Sequence, residues 1–183
     1  MMPMISKDTA IAEVKLIEQF RHNDNRGAFV KTFHQNDFTA TGINFEIRES
    51  FYSVSSQHVL RGMHFHHAPA DHAKIVFCTD GEILDVALDI RIGSPTFGQY
   101  ATANLSFENN NALYIPKGFA HGFLTLSKSA TTFYFVSGEY SPAHDDGILH
   151  TSFGMDWPCE NIITNQRDLD FQTITAYQQK HQL

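Results

Sequence analysis

Cysteine is scarce in this 183-residue chain, which has only Cys78 and Cys159. Two thiols so far apart, without a secretory signal, build no disulfide framework and read as reduced side chains of a cytoplasmic protein. Lysine and arginine are also few, 13 against 20 acidic residues, for a formal net charge of −7. That balance excludes a nucleic-acid surface, which needs clustered cations over a broad face, but leaves room for a small anionic ligand held by a few converging ones. No run nears the roughly 18 apolar residues of a membrane span. The opening MMPMISKDTA has no basic stretch followed by an apolar one, so a soluble protein is expected. Repeats, linkers and low-complexity tracts are missing too, and residues 1–183 are expected to form one domain around one core.

What is present points to strands. Apolar residues make up 42% of the chain, charged ones 18%, and phenylalanine occurs 16 times, a composition of β-rich interiors rather than helical bundles. AEVKLIEQF and AFVKTFH alternate around the turn HNDNRG, which predicts an opening hairpin. QNDFTATGIN suits one helical turn capped by Asn36 or Asp37, before NFEIRESFYSVS resumes a period of two. HVLRGMHFHH reads as a strand and HAPADHA as a connection, because Pro69 cannot donate to a ladder.

KIVFCTDGEILDVALDIR carries Asp80-Gly81 between two β-rich runs, the pair favoured by a two-residue hairpin loop. That register sets Thr79 against Glu82, Val76 against Asp85 and Lys74 against Ala87, with Lys74 and Asp85 diagonal on one face. QYATANLSFENN is a further strand, NALYIPKGFAHGF one broken by Pro116 and Gly118, and ATTFYFVS puts Thr132, Tyr134 and Val136 on one side. SPAHDDG reads as a loop, and the segment from Asn165 to the end suits a helix. About ten short strands with regular turns predict an all-β antiparallel sandwich or barrel of the jelly-roll kind with few short helices.

The polar residues concentrate in HVLRGMHFHHAPADHAK, which packs five histidines, an arginine and a lysine into residues 58–74. His64 and His66 share a strand face and His121 follows in PKGFAH, an arrangement that resembles the metal site of the cupin superfamily. That superfamily usually has a glutamate shortly after its HxH. This chain has Pro69, Asp71 and Lys74 instead, so Asp71 or Glu49 would have to complete a site beside a repelling ammonium. His58, His67 and His150 read as surface side chains. The alternative is a polar organic anion: Arg61, His64, Lys74, Asp85, His121 and Tyr134 inside a barrel are costly to bury unless paired or met by a ligand. Histidine and tyrosine can then take and return a proton.

VLRGMHF, GEILDVALDIR, SPTFG, LYIPKGFAHGF, the FY of residues 133 and 134, YSP and MDWP together resemble the dTDP-4-dehydrorhamnose 3,5-epimerases, in the same order and over roughly residues 10 to 170. The resemblance implies a cupin-type jelly roll without catalytic metal or other cofactor, assembled as a homodimer. It implies an isomerase acting on a nucleoside-diphosphate 4-keto-6-deoxyhexose, with inversion at C3 and C5 through an enolate. His64 is then the base, Asp168 the carboxylate that orients it, Tyr134 the acid on the other face, Lys74 the stabiliser of the enolate oxygen and Asp85 the partner of Lys74. Arg26, Phe29, Glu49, Phe51, Arg61, His121, Asp145 and Arg167 carry over as substrate contacts, Arg26 at the diphosphate and Asp145 and Arg167 at the nucleotide end. The chain departs from the family's usual residues at Lys31, where a glutamate is common, and at Glu49, Ser50 and Phe51, where QDN is. His66 and His72 stand at glutamine positions. Inversion of one carbon only, a metal-dependent cupin oxygenase or isomerase, and a noncatalytic sugar binder are the competing readings.

Overall fold

A computed structural model describes residues 4–181. In chain order these form β1 (Ile5–Asp8), β2 (Lys15–Glu18), β3 (Phe20–Asp24), β4 (Gly27–Lys31), α1 (Gln35–Ala40), β5 (Glu49–Ser56) and β6 (Leu60–His66). There follow β7 (Lys74–Asp80), β8 (Glu82–Asp89), β9 (Tyr100–Ser106), β10 (Asn111–Ile115), β11 (Phe119–Thr125) and β12 (Ser129–Val136). The short strand β13 (Asp145–Gly147) and helices α2 (Gln166–Leu169) and α3 (Ile174–His181) complete the described residues.

Two antiparallel sheets carry the fold. One runs β1-β2-β10-β7-β12-β5, the other β13-β6-β11-β8-β9, and β3-β4 is a separate ribbon. This is the expected all-β sandwich with small peripheral helices. Its apolar residues fall into three layers. Val76, Ile83, Ala87, Phe123 and Val136 fill the space between the sheets. Ile75, Phe77, Phe133 and Phe135 point the other way, onto Phe38 and Phe45 of the α1 segment. Leu60, Val86 and Leu88 meet Trp157, Ile174 and Tyr177 of the C-terminal segment. The central strands are thus covered on both faces, which is why KIVFC and ILDVAL read as continuous apolar runs.

That double cover also overturns the hairpin expected at Asp80-Gly81. β7 pairs with β10 and β12, while β8 pairs with β11 and β9. Gly81 has φ +74°, and a Cβ there would lie 2.0 Å from the Ser129 carbonyl, so the chain turns a tight corner from one sheet into the other. Each run finds two partners within its own sheet, and the register placing Lys74 against Ala87 does not exist. A hairpin forms near the expected place, but its first arm is β3, which takes up the first half of the stretch read as the turn, while AEVKLIEQF supplies β2, paired with β1 and β10. NALYIPKGFAHGF is two strands in different sheets, because Pro116 and Gly118 mark another corner. Residues 5–8 form a strand the alternation did not reveal, and SPAHDDG ends in β13. Asn36 and Asp37 lie inside α1, whose N-cap is His34; Asp37 occupies the first turn, where the helix dipole favours an acid. Two helices, not one, follow Asn165, and residues 182–183 lie outside the described ones.

The glycines of LRGMH and AHGF bring β6 and β11 unusually close. A Cβ on Gly62 (φ +132°) would stand 2.5 Å from the Gly122 Cα, and one on Gly122 2.8 Å from the Arg61 carbonyl. Their approach at a bulge sets His64 directly opposite His121. Gly62→Ala is expected to cost about 2 kcal/mol or more, from a strained φ and a backbone collision. A denaturant midpoint within error of the native one would contradict it.

Candidate active site

The strands of both sheets enclose a cavity of about 330 Å³. His64 enters from β6, half-buried, with Nε2 2.9 Å from Asp168 Oδ1. Asp168 is buried on α2 and is held at three points: Oδ2 accepts the Gly62 N–H at 3.0 Å, and the Asp168 N–H donates to the N-capping Asn165 side chain at 2.7 Å. Burial opposes ionisation of this carboxyl, but hydrogen bonds from His64 and Gly62, and the nearby charges, outweigh it and hold the pKa below the usual value. An ionised Asp168 accepts only, so His64 donates Nε2–H and keeps its lone pair on Nδ1.

A second imidazole-carboxylate pair lies alongside. His121 Nε2 is 2.7 Å from Asp85 Oδ1, both residues buried, while Asp85 Oδ2 has no hydrogen-bond partner. Burial lowers the His121 pKa, against the opposing pull of Asp85. Lys74 reaches from β7 to donate to the His64 carbonyl at 3.3 Å. Its surroundings lower its pKa to about 8, chiefly by burial, with Asp85 and Asp145 opposing. Lys74 and Asp85 therefore interact through space, and the hydrogen bond of Asp85 goes to His121.

Tyr134 projects from β12 of the facing sheet, so the cavity separates it from His64. Its phenol is buried, and burial together with the charge of Asp85 pushes its pKa up. The ring stacks on Phe51 with centroids 4.6 Å apart and meets His121 edge-on. Arg61 is fixed at the wall by Ser55 Oγ and the Val54 carbonyl. At the other end Asp145 Oδ2 accepts from Arg167 at 2.7 Å and from the Tyr140 hydroxyl at 3.1 Å, and Glu49 accepts the Tyr140 N–H.

The sequence model of the dTDP-4-dehydrorhamnose 3,5-epimerases matches residues 8–176. The chain belongs to this family. The Salmonella typhimurium dTDP-4-dehydrorhamnose 3,5-epimerase is 42% identical over 162 residues, covering 87% of this chain and 88% of that protein. The dTDP-6-deoxy-D-glucose-3,5-epimerase of Legionella pneumophila, solved with dTDP-4-keto-L-rhamnose, superimposes with a TM-score of 0.90 at 36% identity, over 94% of this chain and 93% of that one. A 3'-monoepimerase from Streptomyces bikiniensis, solved with dTDP-quinovose, gives 0.89 at 31% identity over 96% and 91%.

Within this epimerase-family cavity the structure gathers His64, Lys74, His121, Tyr134, Arg61, Glu49, Phe51, Asp145 and Arg167 at the lining, with Asp85 and Asp168 behind the histidines. Arg26 and Phe29 are exposed on the β3-β4 hairpin outside that lining, Arg26 paired with Asp24 at 2.6 Å. The sequence did not single out Tyr140 and Ser53 as lining residues; it offered His66 as a metal ligand and a departure, and His72 as a departure alone, and both line the cavity. It also passed over Asn165, although an Asn three residues before an Asp at a helix start is a capping signal. The metal reading asks for three or more converging donors. Among the described residues no group of three or more His, Cys, Asp or Glu is placed to hold an ion. His150, expected at the surface, is buried beside Trp157, whose indole donates to its carbonyl at 3.0 Å, because the C-terminal segment covers that face.

Proposed function

We propose that this chain is a nucleotide-sugar epimerase that inverts C3 and C5 of dTDP-4-keto-6-deoxyglucose to yield dTDP-4-dehydrorhamnose. The observation that carries the reading is the His64–Asp168 pair, 2.9 Å apart, facing Tyr134 across a cavity that also holds Lys74. The C4 ketone acidifies the hydrogens on both neighbouring carbons. His64 Nδ1 takes one of them, the C–H electrons move onto the C4 oxygen as an enolate, and the Lys74 ammonium stabilises that charge. Tyr134 then returns a proton to the same carbon from the other face. Exchange with solvent restores the proton to Tyr134 and removes it from His64, and the cycle repeats at the second carbon. Asp168 keeps His64 in the required tautomer, and His121, held by Asp85, offers its remaining nitrogen to a sugar oxygen.

The far end suits the nucleoside diphosphate, with Arg167, Asp145 and Glu49 around Tyr140. Arg26 and Phe29 complete the set only if another copy receives them, so we assign a homodimer in which the β3-β4 hairpin serves the partner's cavity. On this reading residues 1–183 act as one catalytic domain, and we assign the enzyme to the cytoplasm, in keeping with two free thiols.

Incubation of the purified protein with dTDP-4-keto-6-deoxyglucose in heavy water tests this. Deuterium is expected at C3 and C5 of the recovered sugar. Label at one carbon alone would replace double by single inversion, and no label with this or any other nucleoside-diphosphate 4-keto-6-deoxyhexose would sink the epimerase reading.

A further inference from the structure

Phe51 stands where the family commonly has an amide, and its position gives it a defined neighbour. β5 and β12 pair antiparallel with Phe51 directly opposite Tyr134, so both side chains leave the sheet on the cavity face. The rings stack at 4.6 Å with planes 21° apart. Tyr134 also meets His121 edge-on at 5.9 Å, and His121 is itself held by Asp85. The phenol ring is thus held by two ring contacts, a buried imidazole and a half-exposed phenylalanine that also lines the cavity. An amide at position 51 would offer a hydrogen bond toward the hydroxyl or the sugar. Phenylalanine offers none and supplies a flat apolar surface that stacks on the ring instead.

We propose that Phe51 is a positioning residue that holds the Tyr134 ring in one orientation and thereby sets how protonation is divided between C3 and C5. The two carbons lie on opposite sides of the ketone, so a fixed hydroxyl that sits off the ketone's midline is nearer to one of them than to the other. A ring free to swing can follow either carbon, whereas a clamped ring favours the carbon nearer its hydroxyl. The Ser53 hydroxyl, two residues along the same face of β5, is buried without a hydrogen-bond partner. With no amide at position 51, Ser53 is the polar neighbour that this wall offers the phenol.

The inference rests on the epimerase reading, and the experiment separates the two. Native enzyme, Phe51→Asn and Phe51→Tyr are compared in heavy water by the initial ratio of deuterium at C3 to deuterium at C5. Phe51→Asn is expected to move that ratio by about threefold or more, while Phe51→Tyr, which keeps the stacked ring, stays within about 1.5-fold of native. If the native enzyme labels one carbon only, label appearing at the other in Phe51→Asn counts as the shift. A Phe51→Asn enzyme with the native ratio, whatever its total rate, would overturn the proposal, as would a Phe51→Tyr ratio displaced as far as that of Phe51→Asn. Absence of exchange in the native enzyme would instead remove the epimerase reading.

Discussion

His64→Ala is expected to lower deuterium incorporation at both carbons by about 10³- to 10⁴-fold, the upper part of the range for a positioned general base. Both steps need the same base, so neither carbon should be spared. The half-buried imidazole is also one of two hydrogen-bond partners of the Asp168 carboxylate, the other being the Gly62 N–H. Its removal leaves Asp168 Oδ1 to find water, at a stability cost of about 1 to 3 kcal/mol. His64→Asn, whose amide can still donate toward Asp168, should recover part of that stability while remaining as inactive as alanine. The decisive measurement is the exchange rate at each carbon, with a melting curve to show that the variants are folded. Exchange within tenfold of native in folded His64→Ala would show that another group is the base.

Loss of the Lys74 charge has the next largest effect. Lys74→Met keeps most of the stem and removes the cation, and about 10²- to 10³-fold of kcat is expected to go with it, equivalent to roughly 3 to 4 kcal/mol of transition-state stabilisation. Because the enolate charge exists only along the reaction path, kcat should fall far more than KM changes. The native enzyme should show the same dependence through pH. The working form of Lys74 is protonated, burial lowers its pKa to about 8, and kcat/KM should therefore decline as pH rises through that value. Lys74→Arg stays charged over this range and should lose that alkaline limb. A limb unchanged in Lys74→Arg, or a Lys74→Met enzyme within fivefold of native, would remove the assignment.

The stability effect runs the other way. Between the folded pKa of about 8 and the ordinary 10.5 the unfolded chain binds this proton more tightly. The fold accordingly gains stability as pH rises across that window, and the cost of burying the cation is fully present below it. Lys74→Met should leave the fold intact or strengthen it at neutral pH, which separates a catalytic defect from unfolding.

Several features were legible in the order of residues. Period-two alternation in ATTFYFVS put Thr132, Tyr134 and Val136 on one face, and that face is buried. His64, Lys74, His121 and Tyr134 were identifiable from LRGMHF, the lysine after the connection, GFAHGF and the FY pair, and all line one cavity. The Lys74–Asp85 proximity was also anticipated, but by way of a hairpin that does not form. Local turn chemistry at Asp80-Gly81 is the same for a hairpin and for a corner between sheets. Which one forms depends on the strands waiting on either side, β10 and β12 for one run and β9 and β11 for the other.

The strand-rich class, the family and the residue types that can move a proton beside a ketone are readable from residue order, because periodicity and motif spacing are properties of the chain alone. Several partnerships depend on tertiary packing. It gave Asp85 to His121, where the resemblance had paired Asp85 with Lys74, buried His150, and set Phe51 against Tyr134. It also left Arg26 and Phe29 outside the cavity. Such pairings follow from which strands become neighbours and which faces are covered, and these are set by burying the apolar surface of the whole chain at once.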